Sequence, residues 1–383
     1  MPGLTVGSRA LTGLRGVAAL FVVFHHLYLG QHVQLPFIDN FARRGYLAVD
    51  LFFVLSGFVM ALAYGNWFAT SWDPARYAAF MARRVARLWP LQTAVILAVL
   101  GGSALAHHGS CAVSWGAAFW AGPIWPKMVA ANLLMVQSWG WSQVIVSPSW
   151  SVSTEMLAYT LFPVLAAAAL HGRRRTAWVT AGIAALTLIA CILLAPSRGI
   201  GRRGVLDIYD NWSVLPPLRC LAGFSLGLLS WRALRDPRVA EITRQPGMAV
   251  VGGGGVLLLL ATGAPDLAVY ALLPVLVASL FTGAGPLQRA LARRLPYQAG
   301  VLSYAIYLVH VPVLGFVQRL VGPDPVVLLP VFLVTMAAVA VASHVLIERP
   351  CQTLLRRALT VPGGLLERCI GTFRVIAGQI SKR

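Results

Sequence analysis

Charge is scarce in this chain. Of 383 residues only 12 are acidic, and charged residues of both signs make up 11%, where soluble domains carry about a quarter. That shortage excludes a water-soluble globular protein. Cysteine is also sparse: the five present form no Cys/His cluster at ligand spacing, which excludes a disulfide-stapled scaffold and gives no reason to expect a metal. Cys191 and Cys220 fall near the outer ends of two apolar segments, so one disulfide between them stays open. Also missing are a polar stretch large enough for a second folded domain, a repeat with a period of about 20–50 residues, and a cleavage site after the first apolar run.

What is abundant is apolar surface. Hydrophobic residues make up 58% of the chain and the mean hydropathy is +0.73. A helix needs about 20 apolar residues to cross a bilayer, and ten windows qualify: 9–30, 45–64, 85–106, 150–170, 176–195, 214–233, 247–263, 266–283, 298–320 and 325–347. The expected fold is all-α, a polytopic membrane bundle of about ten transmembrane helices. The seventh window is the weakest, because Gly252 to Gly255 lower helix propensity and need neighbouring helices packed against them. Between windows three and four, Trp115, Trp120, Trp125, Trp139 and Trp141 suit the headgroup level, and Ala130 to Gln137 reads as a short interfacial helix. Residues 1–350 form the membrane-embedded unit, and the basic tail 351–383 reads as an amphipathic cytoplasmic helix on the anionic inner leaflet.

The net charge of +19 does not point to nucleic acid, because Lys and Arg follow loop parity. With the N-terminus cytoplasmic, the even loops and both termini hold 22 of the 31 Lys and Arg residues and the odd loops hold seven; Arg15 and Arg219 lie inside helices. This is the positive-inside pattern, and it places both termini in the cytoplasm.

Topology gives every ionisable residue a depth. Arg15 and His26 share the first window and, eleven positions apart, project from one helix face separated by about 16 Å along the axis. Ionisable groups within hydrocarbon are costly and mark function by default. His26, Asp50 and Glu155 fall in an outer layer, whereas Arg15, with Arg84 and Arg87 at i and i+3, forms a cationic layer nearer the cytoplasm. Guanidinium groups suit a phosphate-rich anion, and a carboxylate-flanked histidine suits proton transfer from a hydroxyl. Together they describe transmembrane acyl transfer.

Plainer readings stand beside each residue. Arg84 and Arg87 serve equally as positive-inside anchors. Asp50 suits a partner of Arg43 or Arg44, or a cap on helix two, and Glu155 suits a helix start. His25 points away from His26 and reads as packing, His344 as structural, and Arg219 as the partner of an outer carboxylate. For the whole chain the competing classes are a secondary transporter, using buried Arg, His and Asp as a proton or anion relay, and a non-catalytic scaffold.

Six strings then occur in order. They are Leu14-Arg15-Gly16 running to His26, Asp50-Leu51-Phe52-Phe53-Val54-Leu55-Ser56-Gly57-Phe58, Arg83-Arg84-Val85-Ala86-Arg87-Leu88-Trp89-Pro90, Ser149-Trp150-Ser151-Val152-Ser153-Thr154-Glu155, Ser303-Tyr304-Ala305-Ile306-Tyr307-Leu308-Val309-His310, and Glu348-Arg349-Pro350. In order and spacing the chain resembles the acyltransferase 3 family of bacterial membrane O-acyltransferases, from residue 9 to about 350. The resemblance implies an enzyme of the bacterial cytoplasmic membrane that moves an acyl group, usually acetyl, from acyl-coenzyme A to a hydroxyl of a cell-surface or secreted glycan. It puts the Arg-x10-His pair on Arg15 and His26 and the Arg-x-x-Arg motif on Arg84 and Arg87. Catalytic candidates are His26, Arg15, Glu155 and Asp50, with Asp50 or Glu155 fixing the His26 tautomer. Arg84, Arg87 and Arg15 are candidates for holding acetyl-coenzyme A, and Ser153, Ser303, Tyr307 and His310 for the acceptor. Ser151 and Ser153 are both available for the family's serine. An extracytoplasmic hydrolase-like domain, which relatives often carry, is not expected.

Overall fold

The computed structural model describes residues 6–30, 35, 38–68, 72–108, 125–197, 204–209 and 212–360. In chain order the helices are α1 (Val6–Leu29), α2 (Asp39–Arg43), α3 (Leu47–Tyr64), α4 (Pro74–His108), α5 (Trp125–Leu133), α6 (Ser149–Thr160), α7 (Phe162–Ala166), α8 (Arg174–Ser197), α9 (Leu215–Ala233), α10 (Pro237–Arg244), α11 (Met248–Thr262), α12 (Asp266–Thr282), α13 (Pro286–Leu291), α14 (Arg294–Val301), α15 (Ser303–Val321), α16 (Pro325–Ser343) and α17 (Arg349–Thr360). No strand occurs among the described residues.

Every one of the ten apolar windows is helical. Among the described residues, six helices or continuous helical runs are long and apolar enough to cross a membrane, and eight spans result if each of two bent pairs counts as one. The other two windows are α9 and α12, both largely buried. One bent pair is α6 with the α7 run to His171, at 64°; the other is α10 with α11, at 74°. The first break falls just before Pro163, whose missing N–H and ring oppose a continuous helix, and the Tyr77 hydroxyl donates to the Thr160 carbonyl there at 3.1 Å.

The core is built on α1, α3 and α9, with α3 and α9 the most extensively packed pair. Glycine makes this approach possible: a Cβ on Gly57 would lie 2.0 Å from the Phe224 carbonyl oxygen, and one on Gly227 would lie 2.1 Å from that of Val54. On α1, Gly13 and Gly16 stand on either side of Arg15, and a Cβ on them would lie 2.0 Å from the Leu291 carbonyl oxygen and 2.5 Å from the Gly300 nitrogen. Where lipid tails remove the hydrophobic drive between helices, such small-residue contacts provide the packing. The glycine run of α11 is looser: a Cβ on Gly255 would touch Leu272, whereas one on Gly254 would meet nothing.

The segment before α6 departs from expectation. The predicted interfacial helix at Ala130 to Gln137 begins instead at Trp125 and stops at Leu133. Asn132 ends it, donating to the Gln143 carbonyl at 2.7 Å and accepting from the Ile145 amide at 3.0 Å, while Met135 adopts φ 57°. Gln137, Ser138, Ser142 and Ser149 are all buried, so α6 starts inside the protein. Irregular backbone is tolerated at such depth only when enclosed by protein. Cys191 and Cys220 are both buried free thiols, so the disulfide left open by the sequence does not form. Trp115, Trp120 and tail residues 361–383 lie outside the described residues.

Candidate active site

A cleft of about 500 Å³, open solvent included, is lined by residues of five helices. Arg15 enters from α1; Phe52, Phe53 and Ser56 from α3; Arg87 and Leu88 from α4; Ser151, Val152, Glu155 and Tyr159 from α6; and Ser303, Tyr304 and Tyr307 from α15. The helix period sorts these residues: Glu155 and Tyr159 stand at i and i+4 with Ser151 one turn before them, and Ser303 and Tyr307 repeat the spacing on α15.

The electrostatics are unusual for a membrane interior. Arg15 interacts at range with Arg87, Arg84, Glu155 and Tyr159. Among the described residues neither the Arg15 nor the Arg87 guanidinium makes a hydrogen bond or an ion pair with a protein group. Two cations facing one low-dielectric cleft repel each other and favour an anion between them. Glu155 is tied down on one side only: the hydroxyls of Ser56 and Tyr159 both donate to its Oε1. Those two bonds fill the lone pairs of Oε1. Further along the cleft the Ser151 hydroxyl and the Tyr307 hydroxyl are hydrogen-bonded at 2.8 Å, and the Tyr304 hydroxyl donates to the Leu88 carbonyl at 2.6 Å.

The structure brings Arg15, Arg87, Glu155, Ser303 and Tyr307 to this cleft and places the other candidates elsewhere. His26 does not line it. Its Nδ1 is 2.9 Å from the Val22 carbonyl oxygen and 3.3 Å from Nε2 of His310, and the two rings stand 4.9 Å apart. His310 lies one turn beyond Tyr307, so the histidine pair sits directly past the tyrosine that borders the cleft.

Asp50 is not available to His26. Both of its oxygens accept from Arg219, at 2.7 and 2.5 Å, and both side chains are 0% exposed. Arg219 also donates to the carbonyls of Ile208 and Tyr46, at 3.1 and 3.2 Å. This is the outer carboxylate that the lone helical arginine calls for, and it displaces the reading of Asp50 as a partner of Arg43 or Arg44. Those arginines bond instead to Asp39 and to the 263–266 turn.

Glu155 is displaced in depth. Rather than standing level with His26, it bonds Ser56, six residues and about 9 Å along α3 from Asp50, because α6 begins inside the protein. Neither expected carboxylate therefore orients His26. Arg84 turns from the cleft and donates to the Tyr64 hydroxyl at 3.0 Å, its guanidinium 5.2 Å from that ring and 5.7 Å from that of Tyr159. Ser153 is buried behind α6, where its hydroxyl accepts from the Ser138 amide at 3.1 Å, so of the two serines it is Ser151 that reaches the cleft. His25 packs, its Nδ1 2.7 Å from the Ala42 carbonyl oxygen, and His344 meets Glu348 at 3.2 Å.

Seven lining residues escaped the sequence reading: Phe52, Phe53, Ser56, Leu88, Val152, Tyr159 and Tyr304. Each carried a signal. Phe52, Phe53 and Ser56 belong to the Asp50–Phe58 string, Leu88 to the Arg83–Pro90 string, Val152 to the Ser149–Glu155 string and Tyr304 to the Ser303–His310 string, and Tyr159 stands one turn after Glu155.

A family model described as an acyltransferase domain matches residues 8–346. Acyltransferase MdmB of Streptomyces mycarofaciens is 29% identical over 392 residues, spanning 93% of this chain and 95% of the relative. The putative peptidoglycan O-acetyltransferase YrhL of Bacillus subtilis is 27% identical over 196 residues, 48% of this chain and 28% of that protein. Protein 2 in the picA locus of Rhizobium radiobacter is 44% identical over 81 residues, 21% of this chain and 38% of its own length. No solved structure matches. A model covering nearly every described helix, together with a relative of matching length that is itself an acyltransferase, makes this membrane-helical chain an enzyme of acyl transfer and a member of the acyltransferase 3 family.

Proposed function

We propose that the protein transfers an acetyl group from cytosolic acetyl-coenzyme A to a hydroxyl of a cell-surface or secreted glycan, across the bacterial cytoplasmic membrane. The observation that carries this reading is the pair Arg15 and Arg87, two guanidinium groups that converge on one cleft and find no hydrogen-bond acceptor among the described residues. An anionic thioester donor supplies that acceptor, since arginine binds phosphate oxygens through paired, charge-assisted hydrogen bonds. The basic even loops favour a cleft reached from the cytoplasm. A glycan acceptor draws on YrhL, a putative peptidoglycan O-acetyltransferase, applied here to a chain matching only part of it.

The donor, once bound, supplies an activated carbonyl. His26 takes the proton from the acceptor hydroxyl as its oxygen bonds to that carbonyl; the carbon–sulfur bond breaks, and the proton passes to the departing thiolate. Arg15, on the same helix face about 16 Å away, holds the donor, and Arg87 holds its phosphates. Glu155, locked by Ser56 and Tyr159, offsets the two cations. The hydroxyls of Ser151, Ser303 and Tyr307 line the path towards the histidines and suit the acceptor. A secondary transporter, the competing expectation, has no support among relatives that are acyltransferases.

The test is turnover of labelled acetyl-coenzyme A by membranes carrying the protein, read as base-labile label on glycan. His26→Ala abolishes transfer while the protein still accumulates. Undiminished transfer by that variant removes His26 from the chemistry.

A further inference from the structure

The histidine that this reading makes the base has lost both expected carboxylate partners, and a second histidine stands where one of them was required. Tautomers follow from the partners. A backbone carbonyl only accepts, so His310, whose Nδ1 is 2.7 Å from the Tyr307 carbonyl oxygen, carries its hydrogen on Nδ1 and a lone pair on Nε2. The same rule applied to His26 and the Val22 carbonyl at 2.9 Å puts the His26 hydrogen on Nδ1. That N–H also faces the His310 Nε2 lone pair at 3.3 Å, in a bond shared between two acceptors. The three contacts admit one consistent arrangement of protons with both rings neutral. It leaves Nε2 as the basic nitrogen of His26.

We infer that His310 is a positioning residue for the proposed transfer: it accepts the His26 Nδ1–H and thereby fixes the orientation of the base and steadies its cationic form. The inference rests on His26 acting as base. In the Ser-His-Asp arrangement a buried carboxylate holds the Nδ1–H of the base; here a neutral imidazole does so, and it adds no second charge to the membrane interior. When His26 takes the acceptor proton on Nε2, its Nδ1–H becomes a stronger donor to the same His310 lone pair. His310 itself neither gains nor loses a proton. Its own fixity comes from burial, with 1% exposure, and from the Tyr307 carbonyl on its own helix. Asp50 is excluded from this task by Arg219, and Glu155 by its depth beside Ser56.

Inside-out vesicles made from the protein's own host supply the native acceptor and admit [14C]acetyl-coenzyme A at the cytoplasmic face; base-labile label then gives kcat and donor KM. His310→Leu removes the Nε2 acceptor and lowers kcat by about 10²-fold, the scale of a disabled general base, with donor KM unchanged. His310→Asn still reaches the Tyr307 carbonyl but is too short for His26, and shows the same deficit even where Leu disturbs packing. His310→Gln restores an acceptor near the position of Nε2 and recovers most of the rate. In the His26→Ala background, His310→Asn has no further effect. Wild-type kcat in His310→Asn, or a rise in donor KM as its only change, overturns the inference. Wild-type kcat in His26→Ala overturns the underlying assignment of the base instead, so the two failures are distinguishable.

Discussion

At the scale of single residues, the deciding question is which charged groups find a partner in the chain. Asp50 and Arg219 find each other and are sealed from solvent at 0% exposure, so their role is to tie α3 to α9. Removing one member of such a pair strands the other charge and typically costs about 3–5 kcal/mol. Asp50→Ala is therefore expected to lower the thermal midpoint of the detergent-purified protein steeply, or to prevent accumulation, whereas the double replacement Asp50→Leu with Arg219→Met loses much less. Equal midpoints for Asp50→Ala and the wild type would rule this pairing out. Part of this was legible: a lone arginine within an apolar helix demands a carboxylate, and Asp50 is one of few acidic residues at the right depth. The His26–His310 contact was not, because the residues are separated by 284 positions and no rule of local spacing joins them. The fate of Arg84 was hidden for a related reason. An i, i+3 pair lies near one helix face, but only tertiary packing decides that Arg87 meets the cleft while Arg84 meets Tyr64.

At the scale of elements, hydropathy is a reliable guide because the cost of leaving a backbone polar group unsatisfied in hydrocarbon forces apolar runs into helices. All ten windows obey it, α9 and α12 included. What hydropathy does not reveal is where a helix begins in depth, and the error over Glu155 came from there. The described part of the segment before α6, residues 125–148, folds into the protein through Asn132, Gln137 and Ser138. Glycine provides the sharpest test at this scale. Gly57→Ala forces a Cβ into the Phe224 carbonyl, at 2.0 Å, and must part α3 from α9; loss of folded protein is expected. Gly254→Ala, where a Cβ meets nothing within 4 Å, is expected to be neutral or to stabilise by up to about 1 kcal/mol through helix propensity. Melting both variants in the same detergent checks the contrast, and a tolerated Gly57→Ala would show that the α3–α9 contact is looser than described.

For the whole molecule, the proposed function requires a direction, and the charge distribution supplies a testable one. We propose that basic loops on one side set the orientation, so that the guanidinium groups of α1 and α4 face the compartment that holds the proposed donor, acetyl-coenzyme A. A green fluorescent protein fused after Arg383 is expected to fluoresce, and alkaline phosphatase at the same place to be inactive; an active phosphatase fusion reverses the topology. The central proposal is that a phosphate-bearing donor pairs with Arg15 and Arg87, which find no hydrogen-bond or ion-pair partner among the described residues. Equilibrium binding of coenzyme A to the purified protein tests it most directly. A charge-assisted hydrogen bond contributes about 1.5–3 kcal/mol, so Arg15→Ala and Arg87→Ala should each weaken binding by tenfold or more, while Arg83→Ala, whose guanidinium lies over the Trp67 ring at 5.0 Å, leaves it unchanged. Equal affinities for the wild type and both cleft variants would contradict the claim.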